Sequence, residues 1–211
     1  MISFEDIKIY LPKYLTPESE YELFSELNAF PDNIDDRLYT NFGLDKNLIY
    51  QGDGLEGLLY VSLPDKTIGE GKRAMVFSNS CDIDIHNKRF YASNIIYSPI
   101  FEFSKYSAFL KQNVNLNEAA IEDHLSMIRR QRITSIFYLP SGSGLSSESL
   151  VFFDRINTCD LKFIFENRVH SNKIFTLSQY GLYLFIIKLS IHFTRLNEHL
   201  DRNMKKNELE S

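Results

Sequence analysis

The stretch from Gly69 to Asp82 constrains the fold of this chain more than any other. It reads GEGKRAMVFSNSCD, in which a glycine-rich, charged segment leads into four apolar residues that end at a small polar cluster. A short apolar run bounded by turn residues is typical of a β-strand. We therefore expect a hairpin and strand at one rim of a small β-barrel, where a cation, a thiol and a carboxylate come together.

Composition and charge limit the class of protein. The 211 residues are 44% hydrophobic and 14% aromatic, which is enough to bury a core, and we expect a single domain. The net charge of -5 argues against a surface that is basic throughout, as in many nucleic-acid binders, but it allows a local basic patch. Cys81 and Cys159 fit no zinc-binding spacing, and no GxxxxGKS/T or HExxH motif occurs, so we expect no metal and no cofactor.

Location is predicted from two segments. The first six residues have neither the basic start nor the apolar run of a signal peptide. The apolar segment Ile174–Leu196 is interrupted by Lys188, His192 and Arg195, so we expect a buried or partner-facing helix and no membrane contact. These features predict a cytoplasmic protein with reduced thiols.

An α+β organisation follows from the pattern along the chain. Residues 1–46 form a helical preface, with a helix that begins at Thr16 and Pro17. Residues 47–165 form the barrel core, with a helical insertion at about 117–132 that Asn117 caps. A long C-terminal helix is expected at 174–200, starting near Thr176.

The strand pattern predicts most of the sheet. Strands are expected at 58–63, 74–78, 94–100, 136–139 and 149–154, and residues 156–158 and 161–165 continue the β pattern. Residues 65–71 are expected to form a loop. Lys188, His192 and Arg195 are expected to lie on a solvated stripe of the last helix.

Four short motifs follow one another along the middle of the chain. They are Gly52-Asp53, the Arg73 that precedes the strand MVFS, the strand IIYSPI at 95–100, and SLVFFDRINT at 149–158. Together they resemble the MazF/PemK family, whose fold is a small SH3-like barrel. The resemblance covers roughly residues 52–165. It implies a barrel that dimerises, cleaves or binds single-stranded RNA in a toxin or defence setting, and is controlled by a partner protein or antitoxin.

The resemblance also implies roles for individual residues. Arg73 matches the catalytic arginine, and the segment 65–72 matches the loop beside the RNA groove. Where the family commonly has a serine or threonine after "PI", this chain has Phe101 and Glu102. The alternative is therefore a non-catalytic protein-interaction module on the same barrel, with the face Leu182, Phe185, Leu189 and Phe193 of the last helix buried in the core or in a homodimer.

Candidate site residues follow from the barrel rim. Metal-independent RNA cleavage needs a cation at the phosphate and a group that moves the 2′-OH proton. The predicted catalytic residues are Arg73, Cys81 and Asp82. The predicted RNA-binding residues are Lys72, Ser78, Asn79, Arg129 and Arg130.

Each candidate also has a structural alternative. Cys81 is a plausible small core residue, and Asp82 can hydrogen-bond a turn. Arg129 and Arg130 can complement the C-terminal end of a helix dipole. Asp82, Asp84 and His86 would share one face of an extended strand, but we expect the polar side of a half-buried strand there and no metal site.

Overall fold

A computed structural model describes residues 16–194, except 42–44, 46, 63–65, 88, 92 and 114–116. The described helices are Pro17–Ala29 (α1), Phe103–Asn113 (α2), Glu118–Arg129 (α3), Leu161–Glu166 (α4) and Gln179–Thr194 (α5), with short 3-10 helices at Asp36–Leu38 and Val169–Ser171. The described strands are Tyr39–Thr40 (β1), Gly54–Ser62 (β2), Thr67–Val76 (β3), Asn94–Glu102 (β4), Ile136–Leu139 (β5), Ser149–Phe152 (β6), Asn157–Asp160 (β7) and Lys173–Leu177 (β8). The α+β class is thereby confirmed. The predictions for residues 1–15 and 195–211 lie outside the described residues.

The described strands form one antiparallel, curled half-barrel sheet in the order β1-β8-β2-β3-β4-β6-β5. β4 changes partners along its length, because it pairs with β7 at Asn94–Tyr97 and with β6 at Ile100–Glu102. The two ends of the strand order are also linked, since the Tyr39 hydroxyl donates a hydrogen bond of 2.7 Å to the Pro140 carbonyl just after β5. β4 ends at Glu102, and α2 begins at the next residue, Phe103.

Three clusters of buried side chains hold the described elements together. The largest lies between the sheet and α5 and centres on Phe77, Phe153 and Phe185, whose ring centroids are 5.2 to 5.9 Å apart. The second lies on the β2–β3–β4 side against α4, and the third lies under α2 and α3. Burial of each large apolar side chain contributes about 1.5–3 kcal/mol, so these clusters stabilise the fold.

Two predicted helix starts are confirmed by their caps. Thr16 Oγ1 accepts a hydrogen bond of 3.2 Å from the Ser19 amide at the start of α1. Asn117 Oδ1 accepts one of 2.8 Å from the Ala120 amide at the start of α3. A side-chain oxygen one residue before a helix satisfies an amide that has no intrahelical partner.

Several predicted boundaries are wrong. The expected loop at 65–71 is mostly strand, because β3 begins at Thr67 and pairs with β2 as far as Ser62. Residues 161–165 form α4, in which Asp160 caps the Lys162 amide and Leu161 and Ile164 share a buried face. Helix α2 was not predicted.

The C-terminal helix also starts later than expected. Residues 173–177 form β8, which pairs with β1 and β2, so Thr176 is a strand residue and caps nothing. The helix begins at Gln179, and Ser178 Oγ accepts a hydrogen bond of 3.1 Å from the Gly181 amide. Pairing of the 173–177 backbone with two strands therefore outweighs the local capping signal.

Helix α5 packs mainly against its own chain. Phe185 is fully buried in the largest cluster and Leu182 and Leu189 pack against it, whereas Phe193 is 59% exposed. In the described residues, this face of α5, which was expected to be buried in the core or in a homodimer, is therefore mostly buried in the core. No helix of the described residues is long and apolar enough to cross a membrane.

Lys188 is buried, so its predicted place on a solvated stripe is wrong. Its Nζ lies within hydrogen-bond distance of four oxygens, which are the Gln131 backbone and side-chain oxygens at 2.8 and 2.9 Å, the Ile133 carbonyl at 2.9 Å and the Ile136 carbonyl at 2.6 Å. The Gln131 side chain also bonds to both backbone groups of Tyr138 and so covers the outer edge of β5. Lys188 therefore ties α5 to the segment between α3 and β5.

Candidate functional site

A cluster of charges lies where β4 ends and α2 begins. Arg73 Nη2 is 3.7 Å from Glu102 Oε1, and Lys105 Nζ donates a hydrogen bond of 2.9 Å to the same oxygen. β3 brings Arg73 there because Ala74 pairs with Pro99 in β4. We call Arg73, Glu102 and Lys105 the charge cluster.

The charge cluster combines groups that can move a proton with groups that can stabilise an anion. The hydrogen bond from Lys105, the nearby Lys105 charge and the Arg73 charge lower the pKa of Glu102, although burial opposes this shift. The carboxylate is therefore ionised at neutral pH and can accept a proton. About a quarter of the Arg73 side chain is exposed, at 26%.

Four aromatic rings and one arginine form a strip that includes Phe101, the residue before Glu102. The guanidinium carbon of Arg155 lies 4.5 Å from the Phe152 ring centroid and 5.0 Å from that of Phe101. Tyr60 meets Phe101 edge to face at 6.3 Å, and Tyr106 meets Phe152 at 5.6 Å. We call these five residues the aromatic strip.

The turn after β3 contains the predicted residues Ser78, Asn79, Cys81 and Asp82. Ser78 Oγ accepts a hydrogen bond of 2.8 Å from the Ile96 amide, and Asn79 Oδ1 accepts one of 2.9 Å from the Cys81 amide. Both side chains are thus engaged with the backbone. Cys81 is exposed, so its alternative as a small core residue is wrong.

Asp82 pairs with Arg89 at 3.1 Å, whereas Arg73 pairs with Glu102. Among the described residues, no ion pair joins Arg73 to Cys81 or Asp82. Residues 81–87 form turns rather than the expected half-buried strand, with Asp84 Oδ1 accepting a hydrogen bond of 2.8 Å from the His86 amide. In the part of the chain that the structure describes, no group of three metal-ligating residues is found.

The predicted RNA-binding arginines are both paired with acids. Arg129 donates two hydrogen bonds to Glu148, at 2.7 and 3.0 Å, and lies 4.3 Å above the Phe103 ring centroid. Arg130 pairs with Asp32 at 3.0 Å. The Arg129–Glu148 pair borders a cavity of about 440 Å³ between α2 and α3. Lys72 is exposed on β3.

The Gly52-Asp53 motif has a structural role. Asp53 is fully buried, its carboxylate pairs with Lys173 Nζ at 2.8 Å and it accepts a hydrogen bond of 2.8 Å from the Tyr50 amide. Burial raises the pKa of Asp53, and Lys173 opposes that shift. Since Lys173 belongs to β8, the pair joins the start of β2 to β8.

Sequence reasoning missed most of the groups that surround Arg73. The spacing of Glu102 and Lys105 is a local signal for a helical contact, because residues three apart are neighbours on a helix. Arg155 gives no such signal, because the two rings that it contacts, Phe101 and Phe152, belong to β4 and β6, which are brought together by strand pairing. In comparisons with known proteins, no protein-family model and no curated protein matches this chain.

Proposed function

We propose that this protein is a metal-independent ribonuclease whose reactive centre is the charge cluster, on an SH3-like barrel of the MazF/PemK kind. The observation that carries the proposal is the meeting of Arg73 and Lys105 at one oxygen of Glu102. A carboxylate between two cations supplies a proton acceptor and positive charge at a single point. The curled antiparallel sheet and the ordered sequence motifs support the barrel assignment.

The reaction is an internal transesterification of RNA. Glu102 accepts the proton of a ribose 2′-OH, the 2′-oxygen bonds to the adjacent phosphorus, and the bond from phosphorus to the 5′-oxygen breaks. Arg73 stabilises the negative charge that grows on the phosphoryl oxygens. Lys105 gives a proton to the departing 5′-oxygen and regains one from Glu102, to which it is hydrogen-bonded. The products are a 2′,3′-cyclic phosphate and a 5′-hydroxyl.

The test is incubation of the purified protein with mixed-sequence single-stranded RNA in the presence of a chelator. We expect cleavage that ends in cyclic phosphates, and we expect Arg73→Ala to abolish it. Arg132→Ala is a matched control, because Arg132 is an exposed arginine of the loop after α3. Loss of cleavage in chelator, or full cleavage by Arg73→Ala, contradicts the proposal.

A second candidate function is a non-catalytic module that binds a partner protein. One observation favours it: Phe90 is fully exposed and Tyr91 is 73% exposed in the loop before β4. Large apolar side chains at a loop tip are typical of protein contacts. Absence of both cleavage and salt-sensitive RNA binding, with a partner or self-association lost in Phe90→Ser, would favour this function.

A further inference from the structure

We propose that the groove between α2 and α3 binds a short peptide with free ends, with the peptide carboxylate at Arg129 and its ammonium at Glu122. The groove is the cavity of about 440 Å³ that the Arg129–Glu148 pair borders. Its size lies within the range of about 300–1,000 Å³ that is usual for small-ligand sites. The site is separate from the proposed function and does not depend on it, because no residue of the charge cluster lines the groove.

Small side chains on α2 leave space for a ligand. Ser104, Ser107 and Ala108 line the groove, because residues three or four apart lie on the same side of a helix. Two buried apolar side chains, Phe103 and Leu125, also line it. A bound peptide can therefore pack an apolar side chain against these two residues, while its backbone groups meet serine hydroxyls, which both donate and accept hydrogen bonds.

Two ion pairs determine which charges the ligand carries. Lys111 pairs with Glu122 at 2.9 Å, and Arg129 pairs with Glu148 at 2.7 Å. All four side chains line the groove, and their charges sum to zero. A ligand with one sign of charge is attracted by one member of each pair and repelled by the other. A ligand with a positive and a negative group some distance apart can instead meet an opposite charge at each end.

The distance between the two ion pairs determines the length of the ligand. Glu122 and Arg129 are seven residues apart on α3, which corresponds to about 10 Å along the helix axis. Three residues of an extended peptide also span about 10 Å. A free amino acid carries its ammonium and its carboxylate on one carbon atom, so it is too short to reach both ends of the groove. The spacing therefore selects a tripeptide.

The way in which each charge is held determines the direction of the peptide. Arg129 donates to Glu148 through Nε and Nη2, so its Nη1 takes no part in that pair. The guanidinium also lies 4.3 Å from the Phe103 ring centroid, which holds it in position. It can therefore bind a carboxylate while it keeps Glu148. Lys111 and Glu122 are each about half exposed, and an exposed pair of this kind exchanges partners readily, so Glu122 can accept the peptide ammonium.

The experiment is a titration of the purified protein with the tripeptide Ala-Leu-Ala, followed by heteronuclear NMR. This probe has free ends and one central apolar side chain. We expect saturable shifts of the amide signals of α2 and α3, from which a dissociation constant is obtained. Acetylation of the amino end or amidation of the carboxyl end should each weaken binding at least about 10-fold, because each removes a charged contact. Free leucine should bind more weakly by a similar factor.

Two pairs of variants test whether the peptide lies in the groove. Ser107→Leu fills the groove and should abolish binding, whereas Ser190→Leu adds the same side chain at an exposed position of α5 and should bind normally. Glu122→Gln should weaken binding of the free tripeptide at least about 10-fold but should not weaken the acetylated peptide further, since that peptide already lacks the ammonium. Asp123→Asn, at the next position of α3, is its control. Thermal unfolding checks that all four variants are folded.

Four results would overturn the proposal. They are no saturable binding of the free tripeptide, equal binding of its acetylated or amidated form, unchanged binding by Ser107→Leu, and binding of free leucine as tight as that of the tripeptide. The last result would show that the ligand does not span the two ion pairs. None of these results bears on the ribonuclease proposal, which Arg73→Ala tests separately.

Discussion

Lys188 donates two hydrogen bonds to Gln131, one to its backbone oxygen at 2.8 Å and one to its side-chain oxygen at 2.9 Å. The other two oxygens within hydrogen-bond distance of its Nζ are backbone carbonyls, so none of the four surrounding oxygens is charged. A buried ammonium without a carboxylate partner carries a desolvation cost that its hydrogen bonds only partly offset. Burial accordingly lowers the pKa of Lys188 to about 7.

This lowered pKa predicts that stability increases with pH. Between about pH 7 and 10.5 the unfolded chain holds a proton on Lys188 that the folded chain has lost. The free energy of unfolding therefore rises by up to about 1.4 kcal/mol per pH unit across this window, and the gain is absent below it. Urea unfolding at a series of pH values measures the slope. Lys188→Met should remove it and the exposed-lysine control Lys162→Met should keep it; an unchanged slope in Lys188→Met would contradict the prediction.

Replacement of Glu102 separates its role in chemistry from any role in binding. We expect Glu102→Gln to reduce the cleavage rate at least about 100-fold, as for loss of a general base. The dissociation constant of a short fluorescent 2′-O-methyl RNA, which has no free 2′-OH and stays intact, should change by no more than a few-fold. Glu166→Gln, an exposed carboxylate in α4, is the control. Because the pKa of Glu102 is lowered from 4.5, the unchanged protein should keep its cleavage rate down to about pH 5. Equal loss of binding and cleavage would contradict a catalytic role.

Gly181 is expected to tolerate no side chain. A Cβ at this position would lie 2.3 Å from the backbone oxygen of Leu38, which the 3-10 helix before β1 holds in place. Gly181→Ala should therefore destabilise the fold by about 1–3 kcal/mol, although alanine is normally the better helix residue. Urea midpoints compare it with Ser190→Ala at an exposed position of α5; equal midpoints would show that α5 can shift away.

Glu148 predicts a loss of stability in acid. Hydrogen bonds from Arg129 and Tyr138 lower the pKa of Glu148, with burial opposing them. A lowered carboxyl pKa contributes stability that is present above the unfolded value of 4.5 and is lost as pH falls through the folded value. Since the side chain is 36% exposed, we expect less than about 1 kcal/mol. The thermal unfolding midpoint of Glu148→Gln should fall less as the pH decreases than that of the control Glu118→Gln. An equal fall in both variants would assign the loss of stability to other groups.

Local sequence was sufficient wherever the deciding contacts are local. The caps at Thr16 and Asn117 involve side chains three residues from the amides they bind, and the strands at 94–100 and 136–139 are apolar runs between turn residues. The α+β class followed from these signals. No cap or apolar period marked α2 clearly, so it was missed.

Only the tertiary structure decided which distant groups meet. Residues 173–177 are a strand because β1 and β2 pair with them. Lys188 is buried because α5 packs against backbone carbonyls that lie more than fifty residues earlier in the sequence. Arg73 was a candidate from the sequence, but its partner Glu102 became known from the pairing of β3 with β4. The aromatic strip likewise depends on β4 and β6 lying side by side. Spacing along the chain records contacts within a few residues, whereas packing and strand pairing determine the contacts that could form a site.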